Sequence, residues 1–242
     1  MIKTVYANID ATMYERTSSM NTGIDSILEL SKVSSSAGIF TSRILIKFPL
    51  EEISSSVASG KIPNPSFFLN LYQTETTEVP TQYNLVAYAV SQSWVNGTGR
   101  ALEPTSLNGF ERGGVSWTYR NKVHQGTARI PSKDISWTSQ SLATDSNMIF
   151  SSVTGGGTWY TNYYGTQSFD NESSDLRMDI TPVVRYLLTG SRANDGFILM
   201  RSGSEETNAT EFGNIKFFSR ETNTVYQPRL EVVYDDSSFV TT

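Results

Sequence analysis

Arg43-Ile-Leu-Ile-Lys-Phe48 sets apolar Ile44, Ile46 and Phe48 against charged Arg43 and Lys47. Side chains of period two leave a strand on opposite sides, so this stretch reads as a β-strand with one core face. The pattern recurs outward in both directions. Phe67, Leu69 and Leu71 alternate with Asn70; Val86, Tyr88 and Val90 follow Asn84; Leu176, Met178 and Ile180 alternate with Arg177 and Asp179. Phe197-Ile-Leu-Met200 reads as a strand buried on both faces, and Ile215 to Glu221, then Leu230, Val232 and Tyr234, close the series. Many short strands separated by Ser, Gly and Asn turns predict an all-β sandwich or barrel.

Composition points the same way. Ser and Thr make up about a quarter of the 242 residues and travel with Gly, Asn, Tyr and Phe, a vocabulary of pleated surfaces and turns. A chain of this length forms one all-β unit with a sizeable core. The net charge of −5 excludes a basic nucleic-acid footprint. The apolar runs are far shorter than the roughly 20 residues that span a bilayer, so no membrane partner is expected. The absence of cysteine fits folding in a reducing cytosol, and the residues after Met1 show no apolar export segment.

One segment reads firmly as helix, Thr181-Pro-Val-Val-Arg-Tyr-Leu-Leu-Thr-Gly190, with Thr181 as cap, Pro182 in the first turn and Gly190 as stop. Leu50-Glu-Glu-Ile-Ser54 reads as a single turn. Between about residues 101 and 168 the chain is less regular, with Asn108-Gly109, Gly113-Gly114, Gly155-Gly-Gly157, Trp117, Trp137 and Trp159. The expected organisation is one sandwich over 1–236, a loop-rich insertion at about 101–168, and a solvated tail at 237–242.

These segments resemble, in order, the jelly-roll modules called DNRLRE domains. Asp10-Ala-Thr-Met-Tyr14 with Asn21-Thr-Gly23 is similar to the opening strand and its turn, and Arg43 to Leu50 to the arginine-led second strand. Val90-Ser-Gln-Ser-Trp94 with Asn96-Gly97 is similar to the Trp-containing turn. Asp179 to Gly190 resembles the helix before the penultimate strands, and Asn194 to Leu199 the strand after it. The most specific piece is the closing run, Phe217-Phe-Ser-Arg-Glu-Thr222 and Pro228-Arg-Leu-Glu-Val-Val-Tyr234. Gly114-Val-Ser-Trp-Thr-Tyr-Arg120 and Gly155-Gly-Gly-Thr-Trp-Tyr160 resemble the tailed-phage branch in particular.

The resemblance implies an antiparallel jelly-roll β-sandwich and a non-enzymatic structural protein of a tailed bacteriophage virion, made in the bacterial host cytoplasm. It implies assembly with other virion proteins and with copies of itself, at the capsid surface, neck, tail or fibre. The alternative it leaves is a carbohydrate-binding or adhesion module whose partner is a polysaccharide.

The acidic pairs Glu51-Glu52, Glu205-Glu206 and Asp235-Asp236 are sequence neighbours beside turns and read as solvated loop charge, not carboxylates facing across a cleft. His124, the one histidine, has no second His or Cys nearby and reads as a surface residue. Asn8 and Asp10 read as turn residues in preference to Ca²⁺ ligands. Catalytic, metal and cofactor residues are therefore expected to be none. Arg43, Arg220, Glu221 and Arg229 read as strand residues paired across strands, with one of Arg220 and Glu221 beside a ring on a partly buried face. Trp159, Tyr160, Tyr163 and Tyr164 form the densest aromatic cluster and read as contacts to a protein or glycan. The sequons at Asn96, Asn171 and Asn208 read as chance matches.

Overall fold

The computed structural model describes residues 1–77, 79–101, 112–125, 128–137, 148–150, 155–170 and 175–236. In chain order the strands are β1 (Ile2–Tyr6), β2 (Ile9–Tyr14), β3 (Ile27–Ser35), β4 (Gly38–Lys47), β5 (Ser66–Leu71), β6 (Gln73–Thr77), β7 (Gln82–Val90), β8 (Tyr119–Asn121), β9 (His124–Gln125), β10 (Ala128–Arg129), β11 (Ile135–Ser136), β12 (Met148–Phe150), β13 (Thr158–Asp170), β14 (Leu176–Asp179), β15 (Phe197–Arg201), β16 (Gly213–Phe218) and β17 (Arg229–Val233). The helices are α1 (Glu51–Ala58), α2 (Thr181–Leu188) and α3 (Ser204–Thr207). None among the described residues is long and apolar enough to cross a membrane.

The small sheet runs β1-β17-β5-β14 and the large one β12-β13-β7-β15-β4-β3-β16-β6, with β2 joining β4 where β3 departs. Every pairing is antiparallel, and the chain crosses repeatedly between the sheets. Between them lies a core that includes Leu28, Ile44, Ile46, Phe67, Leu69, Phe197, Leu199, Leu230 and Val232. The expected all-β sandwich is what the chain forms.

The alternation at β4 holds only in part. Ile44 and Ile46 face the inter-sheet core, but Leu45 is also fully buried, in a second cluster with Val86, Ile198, Met200 and all four tryptophans, Trp94, Trp117, Trp137 and Trp159. The large sheet is thus buried on both faces around β4, and Arg43 is buried with it. Hydrogen bonds hold the segments that cover this outer face. The Asn21 amide donates to the carbonyls of Asn96 (2.7 Å) and Val115 (2.8 Å), and its oxygen accepts the Gly99 N–H (2.7 Å). Only glycine fits beside it at residue 97, where φ is +81° and a Cβ would lie 2.1 Å from the Gly113 oxygen.

Within the loop-rich insertion expected at 101–168, residues 158–168 belong instead to a long strand. Thr158–Asp170 is the longest strand and pairs with β7. Asn108-Gly109, Asn171 and the 237–242 tail lie outside the described residues. Where one short helix was expected, the described residues hold three α-helices and a 3-10 turn at Pro131–Lys133. Thr181 is the first residue of α2, not its cap: its N–H is received by Asp179 Oδ1 (2.8 Å) and its hydroxyl accepts the Phe67 N–H (2.8 Å). Pro182 and Gly190 sit as expected, and Val183, Val184 and Leu187 are buried. α1 makes two turns because Ile53 reaches the core.

The charged residues divide. Arg43 donates from Nε to Glu206 Oε1 (2.8 Å) and from NH1 to the Gly156 carbonyl (2.6 Å), with both charged side chains about nine-tenths buried. Its partner comes from α3, not from a neighbouring strand. Glu205 accepts the Asn84 backbone N–H (2.9 Å) and side-chain amide (2.8 Å), so Glu205-Glu206 is not solvated loop charge. Arg229 pairs with Glu231 on its own strand (3.0 Å), and Arg177 reaches the same carboxylate from β14 (3.2 Å). Arg220 and Glu221 lie in the turn after β16 and pair with each other (2.8 Å), with the Arg220 side chain 39% exposed. The strand reading of these two was wrong because the ladder stops at Phe218. The buried acid there is Asp10, whose Oδ2 accepts the Arg220 N–H (2.6 Å). His124 is half-buried, with both ring nitrogens shielded and without hydrogen-bond partners among the described residues, and burial lowers its pKa. Asn96 and Asn208 are occupied structurally, donating to the Gly23 carbonyl (2.6 Å) and accepting from Lys32 (2.9 Å) respectively.

Two outcomes are expected. Arg43→Ala strands Glu206 in a buried site and should lower stability by about 3–5 kcal/mol, whereas the exposed Arg220→Ala should lower it by no more than about 1 kcal/mol, both read by urea unfolding. Burial raises the Asp10 carboxyl to about 7 against the ordinary 3.8. The folded chain keeps this proton after the unfolded chain has released it. The stability linked to Asp10 is therefore fully present below pH 3.8 and is lost as pH rises to about 7. Asp10→Asn should remove that fall, a difference of up to about 4 kcal/mol in the pH dependence of unfolding.

Candidate functional site

β13 begins inside the second core and leaves it through a break in register. Tyr160 stands opposite Ala89, but the next paired residue is Tyr164, opposite Tyr88, so Thr161, Asn162 and Tyr163 have no counterpart on β7. Such a bulge re-aims side chains that a regular ladder would bury. Before it, the run Gly155-Gly-Gly157 carries positive φ throughout, and a Cβ on Gly155 would lie 2.2 Å from the Trp117 carbonyl, so the glycines let β13 start against the Trp117 segment.

The bulge splits the aromatic cluster. Trp159 and Tyr160 are buried, while Tyr163 and Tyr164 are 38% and 53% exposed. Tyr163 stacks on Tyr186 of α2 at 4.4 Å and 21°, and Tyr160 meets Tyr186 edge-on at 5.5 Å. Arg192 lies 5.4 Å above the Tyr160 ring and donates from Nε to the Tyr186 hydroxyl (3.2 Å). Tyr164 leans on Tyr88 (5.9 Å), which stacks on Trp159 (6.1 Å), which in turn lies under the Arg43 guanidinium (5.1 Å). Two exposed tyrosines thus stand on two supported rows of rings.

Burial raises the phenol pKa of Tyr88, Tyr160 and Tyr186 further above the ordinary 10. The site can stack flat apolar faces and exchange hydrogen bonds through neutral phenols. Of the four residues expected here, two provide the accessible surface and two the support beneath it. Sequence reasoning missed Tyr186 and Arg192, because a helix residue and a residue in the loop after it carry no periodic link to β13, and it read Tyr88 only as part of a core pattern.

A cleft of about 680 Å³, also unforeseen, opens where β2 and β3 part, with Tyr14, Met20, Ile27, Phe40, Arg16 and Arg100 among its walls. Glu29 beside it is already bound by the Tyr14 hydroxyl (3.0 Å) and the Asn214 amide (2.5 Å). Among the described residues no group of three or more His, Cys, Asp or Glu could hold a metal ion. In comparisons with known proteins, no family model and no curated protein matches the chain.

The division of the cluster should appear in stability. Trp159→Ala should cost about 3–5 kcal/mol through the cavity it leaves, and Tyr164→Ala no more than about 1 kcal/mol, compared by denaturant titration of the two variants.

Proposed function

We propose that the chain is a non-enzymatic structural protein of a tailed bacteriophage particle, a jelly-roll subunit at the capsid surface, neck, tail or fibre that acts by assembly with other virion proteins and with copies of itself. One observation supports this reading above the others. The two stretches that resemble the phage branch, residues 114–120 and 155–160, lie against each other: the Gly156 N–H donates to the Trp117 carbonyl (2.6 Å), and Arg43 lies over the rings of both Trp117 (4.7 Å) and Trp159 (5.1 Å). Segments far apart in the chain share one packing unit, and that unit supports exposed Tyr163 and Tyr164. Aromatic side chains on a rigid base are favourable protein-contact anchors because little conformational freedom is lost when they are covered.

The second reading, a carbohydrate-binding module, draws on the parallel stacking of Tyr163 on Tyr186, since a flat tyrosine face also suits a sugar ring.

Mass spectrometry of purified particles should find this chain among the virion proteins, and its absence would overturn the proposal. In a particle that contains it, the combined Tyr163→Ala and Tyr164→Ala variant should fold normally and incorporate poorly. Saturable polysaccharide binding by the wild-type chain, abolished by the same pair of substitutions, would favour the second reading.

A further inference from the structure

Among the described residues the small sheet ends at β1, with no strand paired on its outer side. Met1 and Tyr234 exchange backbone hydrogen bonds (2.5 and 3.1 Å), and the Ala7 N–H donates to the Pro228 carbonyl (3.1 Å). With Lys3 opposite Val232 and Val5 opposite Leu230, the odd-numbered residues turn their N–H and C=O groups toward β17. Alternation then turns the N–H and C=O groups of Ile2, Thr4 and Tyr6 outward. Beyond the β17 pairing, none of these six groups has a hydrogen-bond partner among the described residues.

The same three residues expose their side chains, Ile2 at 62% and Tyr6 at 51%. The strand's one charge, Lys3, alternates to the other face and pairs with Glu52 of α1. Sheets ordinarily guard a free edge with charge, proline or a bulge; β1 has neither proline nor bulge, and its one charge, Lys3, is engaged by Glu52.

We propose that β1 pairs antiparallel with β1 of a second copy across a two-fold axis through Thr4, joining two four-stranded sheets into one of eight. The register is self-complementary. Thr4 meets Thr4 of the second copy, and Ile2 meets its Tyr6, a β-branched residue against an aromatic one, which is a favourable cross-strand pair. Lys3 meets Val5, so no like charges face each other. Each of the three outward residues occupies a hydrogen-bonded position, so all six edge groups on each copy are satisfied. That match of register, apolar pairing and charge is what selects a second copy over an unrelated strand. This inference does not depend on the virion reading or on the tyrosines of β13, and it gives the self-assembly in that reading one specific contact.

The test uses the full chain. Sedimentation over a range of concentrations should show a reversible monomer–dimer equilibrium. Thr4→Pro removes an N–H that the β17 pairing does not use, and it should give a monomer whose circular dichroism and melting temperature match those of dilute wild type. The chain has no cysteine, so Thr4→Cys places a single thiol opposite its own symmetry mate, at a Cα separation of about 5.5 Å. Oxidation or a short bis-maleimide should yield a covalent dimer from Thr4→Cys and none from Val95→Cys, on the far side of the sandwich. A wild-type chain that stays monomeric throughout would overturn the proposal. So would a dimer that survives Thr4→Pro without cross-linking at Thr4→Cys.

Discussion

The buried Arg43 side chain ties the layers together. The Arg43 guanidinium lies over the rings of Trp117 and Trp159, donates to the Gly156 carbonyl and pairs with Glu206 of α3. These groups come from four separate stretches of chain: the middle of β4, the segment before β8, the glycine run with the start of β13, and the short helix after β15. A charge taken out of water is tolerated only when its donors are satisfied and its partner is close. The tryptophan segments, the glycine turn and α3 must therefore be in place together, and the outer layer is bound to the sandwich by more than apolar contact.

The large sheet requires that layer. Its strands present apolar side chains on both faces, so a two-sheet sandwich alone would leave Leu45, Val86, Ile198 and Met200 in water. The chain covers them with the segments around Trp94, Trp117 and Trp137, and it anchors the cover with polar groups: Asn21, and Lys122, whose ammonium donates to the Ser19 carbonyl at 2.6 Å. Burial lowers the Lys122 amine to about 8. Rings on this side reach water where regular pairing fails, at the β13 bulge. The small sheet ends, among the described residues, at β1.

Much of the fold was legible from period-two patterning, because alternation is a local property that neighbouring residues express directly. Strands at Ile44 to Phe48, Phe67 to Leu71 and Leu176 to Ile180, and the helix with Pro182 in its first turn, needed no knowledge of distant contacts. The turn asparagines and glycines at 21–23 and 96–97 were legible too, although their convergence on one another was not.

Other features were decided only when distant segments met. Whether Arg43 faced water or a second core depended on tryptophans more than 70 residues away, since alternation says which residues share a face but not what covers it. Glu205 and Glu206 looked like surface charge until α3 placed them beside Asn84 and Arg43. Arg220 and Arg229, both in stretches that read as strand, parted because the ladder ends at Phe218, a boundary set by pairing partners and not by local propensity. Within Trp159 to Tyr164, composition marked an aromatic contact region, but only the slip in register against β7 separated buried support from exposed surface. Periodicity is written in the chain; register and burial are properties of what the chain packs against.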